Sequence, residues 1–167
     1  NWNWGLFRSI DLDGNWERLT NFPTRNITSI TSLDNYLYVT RISEDNTDMT
    51  YRSTDNGDTW SLLWSTSVPS SGKAYRQDTV FSFIGNGIVV RHVPGGAVDT
   101  VFSNNSLVIN RLMNIGNELW ILRPDEIWHS TDGVQWSLLS TPPPFQTATG
   151  LYYKQQKVFF FGNGKLY

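Results

Sequence analysis

The sequence predicts an all-β fold of four-stranded antiparallel sheets repeated along the chain, and three observations carry that expectation. A phrase with Ser, Asp, Gly and Trp at near-constant spacing recurs three times within 167 residues. Between its copies the chain reads as an apolar strand, a tight turn and a second apolar strand, which is the pattern of a hairpin. No longer segment combines helical apolar periodicity with a capping signal, so essentially no helix is expected. Four strands per ~40–45 residues make the blade of a β-propeller, where radial repetition leaves only short, protected edges.

Taken in chain order, the first phrase runs from Leu6 to Trp16 and holds Ser9, Asp11 and Gly14. The first hairpin follows, with Ile27–Ser32 turning at Asp34-Asn35 into Tyr36–Thr40. The second phrase, Thr50–Trp60, carries Ser53, Asp55, Gly57 and Trp60. A second hairpin is expected where Thr79–Ile84 turns at Gly85-Asn86 into Gly87–Val90. The phrase serines Ser9, Ser53 and Ser130 are 44 and 77 residues apart, so a degenerate copy is expected in the longer gap. Val101–Val108 keeps an aromatic and a serine there but lacks the Asp, Gly and Trp. The third hairpin, Ile109–Ile115 into Glu118–Leu122, turns at Gly116-Asn117. Next comes the third phrase, Ile127–Trp136, with Ser130, Asp132 and Gly133, and the last hairpin takes Ala148–Tyr153 through Gln155-Gln156 into Lys157–Phe161. Asp-Asn and Gly-Asn suit the positive φ of two-residue hairpin turns, whereas Gln-Gln fits poorly.

The segment Ser53-Thr54-Asp55-Asn56-Gly57-Asp58-Thr59-Trp60 resembles the Asp-box of the sialidase-type (BNR repeat) β-propellers at every defined position. In the first copy Gly14 comes one residue late, and in the third Gly133 directly follows Asp132. The resemblance implies a propeller of four visible repeats over residues 1–167. That is either a closed four-bladed ring or part of a six- to eight-bladed one, since Gly164–Tyr167 aligns with Gly5–Phe7. The motif also has a folding reason of its own. The Asp carboxylate accepts backbone N–H groups across the turn, Gly takes a conformation that a Cβ would strain, and Trp packs between blades. Ser9, Asp11, Trp16, Ser53, Asp55, Gly57, Trp60, Ser130, Asp132 and Trp136 are therefore expected to be structural, with the three tryptophans buried.

Composition narrows the function. Thirteen Lys and Arg against 15 Asp and Glu give a net charge of −2, which supplies no basic field for a nucleic acid or an anionic membrane. The chain has no cysteine and two histidines, His92 and His129, so Cys-ligated metals, disulfides, thiol catalysis and multi-histidine sites are excluded. The Asp11–Asn15 turn lacks the later bidentate Glu of a calcium loop. No cofactor or metal is expected. No apolar run approaches the ~18 residues of a bilayer span, so membrane insertion is not expected either.

The candidate ligand site follows from the repeat. Arg41, Arg91 and Arg123 each stand at the end of what the pattern reads as a second strand of a blade, on the face opposite the boxes. Three guanidinium forks from successive blades are expected to grip one anionic group bidentately, and an arginine triad on a substrate carboxylate is what the sialidase resemblance implies. The competing reading pairs each with a local acid such as Glu44, Asp99 or Asp125. A sialidase-like enzyme would also use a tyrosine nucleophile, a glutamate and an aspartate. Of Glu17, Glu44, Glu118 and Glu126, only Glu44 falls in a loop on the proper face, and no tyrosine partner can be assigned by spacing. The leading expectation is a non-catalytic binding or structural module that recognises a glycan or protein partner within an extracellular or virion-surface assembly. A sialidase-like glycoside hydrolase and an intracellular assembly-factor propeller stand as alternatives.

Overall fold

The computed structural model describes residues 5–9, 11, 14–22, 26–67, 70, 72–84, 87–104, 109, 111–123 and 126–139, with the backbone of 148–154, 157–162 and 165–166. Among these residues the chain is all β, in two compact units, Asn1–Pro69 and Ser70–Tyr167.

In the first unit β1 (Phe7–Ser9) and β2 (Trp16–Arg18) form a two-stranded sheet. A four-stranded antiparallel meander follows: β3 (Ile27–Leu33), β4 (Tyr36–Ile42), β5 (Asp48–Ser53) and β6 (Ser61–Thr66). The β3–β4 turn is the expected one, with Asp34 at φ 53°. Leu6, Leu19, Phe22 and Val39 make the core that joins the two sheets, with Tyr51 and Trp60 packed against it.

The second unit contains a meander of β7 (Gly72–Arg76), β8 (Thr79–Phe83), β9 (Ile88–His92) and β10 (Val98–Ser103). A second meander comprises β11 (Arg111–Ile115), β12 (Glu118–Leu122), β13 (Ile127–Ser130) and β14 (Ser137–Leu139). A three-stranded sheet of β15 (Ala148–Lys154), β16 (Lys157–Gly162) and β17 (Lys165–Leu166) completes it. Successive sheets meet through their first strands: β11 lies beside both β7 and β15. The β7–β11 seam is fastened by one side chain. Asn114 Oδ1 accepts the Tyr75 N–H and its Nδ2 donates to the Tyr75 carbonyl, both at 2.7 Å, so the carboxamide imitates a strand neighbour. Phe81, Phe83, Val89, Phe102, Leu112, Leu119 and Ile121 fill the core of this unit.

Three expectations are corrected. The segment Thr79–Val90 is the second and third strand of its blade, β8 and β9, because β7 precedes it and turns at Gln77-Asp78, with Gln77 at φ 50°. Gln77, which takes the positive φ, is not a turn former, and Gly-Lys-Ala-Tyr-Arg has no strand signature, although Ala74 and Tyr75 are buried. The degenerate phrase falls on the fourth strand, β10, and the true turn between third and fourth strands is Val93–Ala97, closed by the Gly96 N–H on the Val93 carbonyl at 2.9 Å. Finally, Trp16 is 63% exposed, and Trp60 and Trp136 are half-buried rather than buried. The turn at Gln155-Gln156 lies outside the described residues.

Candidate functional site

The box turns show what their residues do. Asp55 Oδ1 accepts the Ser53 hydroxyl and the Thr59 N–H, each at 2.8 Å, and its Oδ2 accepts the Thr59 hydroxyl at 2.6 Å. Those donors, the Thr59 hydroxyl foremost, hold the Asp55 carboxyl down at about 2. In the third box Asp132 Oδ1 accepts the N–H groups of Val134 and Gln135, both at 2.8 Å, and the Ser130 hydroxyl at 3.0 Å. The two amides lower its pKa most. Ser53 and Ser130 accept the box glycine N–H groups at 2.8 Å. In the first box the Ser9 hydroxyl and the Asn15 carboxamide donate to Asp11 at 3.4 and 3.3 Å. The glycines are also contact points. An added Cβ on Gly57 would stand 2.9 Å from Leu19, and one on Gly133 would stand 2.3 Å from Phe81. Two of the box tryptophans meet an aromatic ring edge-on: Trp60 on Phe22 at 4.9 Å, and Trp136 on Phe102 at 5.6 Å.

The three arginines do not occupy equivalent places. Arg41 is the next-to-last residue of β4, a second strand, in the first unit, between Ile27 and Met49 in register. Arg123 follows β12, also a second strand, in the second unit. Arg91 sits in β9, a third strand, beside the Val93–Ala97 turn, and is therefore at the box end of its blade; Phe83 and Ile84 hold the place assigned to it. Arg91 donates to Asp99 at 2.6 Å, its cross-strand neighbour. Arg123 is 1% exposed, with Nη1 2.9 Å from Glu126 Oε2, and its Nε and Nη2 have no hydrogen-bond acceptor among the described residues. Glu126 in turn accepts Trp128 Nε1 at 2.9 Å. The anion grip by three equivalent arginines is thus corrected: an antiparallel shift of one strand carries Arg91 to the other end, and two of the three are already ion-paired. Asp99 is the partner expected for Arg91. Glu126 takes the place expected for Asp125, which lies outside the described residues.

A different concavity, of about 440 Å3, opens in the first unit at the box end of β1–β2, lined by Arg8, Asp11, Gly14, Asn15, Trp16 and Glu17. Arg8 is fully engaged there. Its Nε donates to Glu17 at 2.6 Å, and Nη1 donates to the Asn56 carbonyl at 2.8 Å and to Asp58 at 2.9 Å, which raises its pKa. A second depression lies at the β3–β4 turn among Asp34, Tyr36, Thr54 and Asn56, but there the Arg52 guanidinium already covers the Tyr36 ring at 4.9 Å. His92, drawn down by burial, stays in β9, and His129 lies against Trp120 with Nδ1 3.6 Å from Glu118. No helix among the described residues is long and apolar enough to cross a membrane.

No protein-family model matches the chain, and no curated protein matches it. Solved structures do. A chain in the crystal structure of BBS1N in complex with ARL6DN aligns at a TM-score of 0.52 and 14% identity, over 83% of this chain and 48% of that one. BamB from Moraxella catarrhalis aligns at 0.51 and 16%, over 83% and 40%. A chain of a nidogen/laminin complex aligns at 0.50 and 12%, over 77% and 51%. This chain spans about half or less of each. At these identities the likeness shows the fold, which is a β-propeller.

Proposed function

We propose that the chain is a non-catalytic binding module of the Asp-box propeller type, recognising a glycan or protein partner in an extracellular or virion-surface assembly. The observation that carries this reading is the state of its carboxylates. Asp45, Asp55 and Asp132 all have lowered pKa values, held by hydroxyl and amide donors. A general acid at neutral pH needs the opposite displacement. Glu17 and Glu126 are tied to Arg8 and Arg123, and a carboxylate occupied by a guanidinium is a poor base for a substrate proton. These five acids build turns and ion pairs, which suits recognition rather than bond cleavage. The test is a glycan array with the native protein, run beside turnover assays on fluorogenic sialosides and neutral glycosides. Binding to glycans or to a defined protein partner without turnover is expected. Turnover that survives purification to homogeneity refutes the reading.

A further inference from the structure

The Trp16 concavity is a site of a kind that its sister boxes lack. Trp16 occupies the motif position of Trp60 and Trp136, each of which lies against a phenylalanine. Trp16 has no aromatic partner among the described residues and leaves 63% of its surface open. A large exposed indole is an apolar platform that a ligand with a C–H face can cover. Beside it, in the same concavity of about 440 Å3, stand the Asn15 carboxamide and the Asp11 carboxylate, coupled at 3.3 Å. Together they set donors and acceptors side by side, the complement of vicinal hydroxyl groups. The volume lies in the ~300–1,000 Å3 range of small-ligand sites.

Charge selects the ligand class. Among the described residues the one cation lining the concavity, Arg8, is already bonded to Glu17, Asp58 and the Asn56 carbonyl. Asp11, Glu17 and Asp58 together outnumber it, so a ligand carboxylate or phosphate would be repelled and would find no vacant guanidinium fork. We propose that the Trp16 concavity binds a neutral pyranose unit, with the sugar's C–H face on the indole and its hydroxyls on Asn15 and Asp11. The proposal rests on the reading of the chain as a binding module and gives that reading a site and a ligand class. The site lies at the box end of its blade, whereas Arg41, in the same unit, stands at the other end, late in the second strand of its sheet.

The test is isothermal titration of the full chain with cellobiose, lactose and N,N′-diacetylchitobiose, with 3′-sialyllactose alongside. At least one neutral disaccharide should bind, with little dependence on salt. Trp16→Ala should weaken it by about tenfold or more, and Trp16→Phe should recover a substantial part. Because Trp16 is largely exposed, both variants should melt within a few degrees of the native chain, which separates loss of binding from loss of fold. Binding of sialyllactose alone, no binding of any neutral sugar, or binding unchanged in Trp16→Ala would each overturn the proposal. So would protection of Trp16 from acrylamide quenching in the sugar-free protein, read as the difference between native and Trp16→Phe fluorescence, since that places a protein surface over the indole. A neutral sugar that fails to bind while a protein partner is found leaves the binding-module reading standing. Glycoside turnover with a Trp16-dependent sugar affinity does the reverse.

Discussion

Replacing Gly133 by Ala probes the box more sharply than replacing its aspartate, because two independent costs meet at one methyl group. Gly133 has φ +78°, a conformation that costs an L-residue roughly 1–2 kcal/mol. The new Cβ would also stand 2.3 Å and 2.6 Å from Phe81 Cζ and Cε1, and 2.9 Å from Leu119 Cδ1, where carbon atoms prefer about 3.5–4.0 Å. Phe81 and Leu119 belong to the buried core of the second unit, so relief requires displacing a packed ring. Overpacking of that kind costs about 1–3 kcal/mol, and the two effects together predict a loss of about 2–5 kcal/mol. Gly116→Ala is the internal control. Its φ is +56° but nothing lies within 4 Å of the added Cβ, so only the backbone cost of roughly 1–2 kcal/mol applies. Urea unfolding followed in parallel by tryptophan fluorescence and circular dichroism gives both values, with an unchanged m as the check on comparable states. If Gly133→Ala and Gly116→Ala are equally destabilising, the contact of the box turn with Phe81 is not what fixes this glycine. Phe81→Leu in the Gly133→Ala background should then show favourable coupling if the reasoning holds, and none if it does not.

Asp55→Asn should flatten the acid limb of the stability profile. The folded pKa of about 2 lies below the usual 3.8, so the carboxylate's contribution is full above about pH 4 and fades as pH falls toward 2; native and variant melting temperatures should differ at pH 7 and converge near pH 2. Asn114→Leu removes both bonds to the Tyr75 backbone and leaves a donor and an acceptor unmatched, at about 1–3 kcal/mol per group; faster hydrogen exchange at the Tyr75 amide reports it, and unchanged exchange would refute the role of Asn114 as a surrogate strand. Arg123→Met alone leaves Glu126 without its cation and should cost up to about 3–5 kcal/mol, whereas Arg123→Met with Glu126→Leu, which removes both charges, should be neutral or stabilising by about 1–4 kcal/mol; a single variant as stable as the native chain in thermal unfolding would contradict that account.

The boxes were legible in the sequence because their chemistry is local. Ser, Asp and the following amides close one turn on themselves, so the motif fixes the turn wherever the turn stands. The phase of the blades is a different kind of information. Gly85-Asn86 has a turn former at both positions and Gln77-Asp78 only at Asp78, so the pattern placed the blade boundary one strand late, although both connections join antiparallel neighbours. In an antiparallel meander successive strands end on opposite sides, so that single displacement moved Arg91 from the loop end to the box end and dissolved the triad. Arg41 and Arg123 were placed correctly because Asp34-Asn35 and Gly116-Asn117 do mark first-to-second strand turns. Asn114 gave no signal at all: a polar residue in an apolar strand reads as solvent-facing until the neighbouring Tyr75 backbone is in view.

Trp16 shows why burial is harder to read than position. The box places the indole where the strand after the turn begins: Trp16 is the first residue of β2, opposite Ser9, and Trp60 and Trp136 immediately precede β6 and β14. Whether that indole is covered depends on the structure beside it, which the motif does not encode. Where Phe22 or Phe102 stands alongside, the tryptophan contributes to the core; where neither does, the same residue becomes an open surface of the kind a ligand can use. The neighbouring charges decide which ligand. Exposed ion pairs such as Arg8 with Glu17 and Asp58 contribute little to stability, but they occupy the only cation lining the concavity among the described residues and so turn anions away. One motif can therefore build the blade and, in the copy whose tryptophan lacks a ring beside it, offer a neutral aromatic platform.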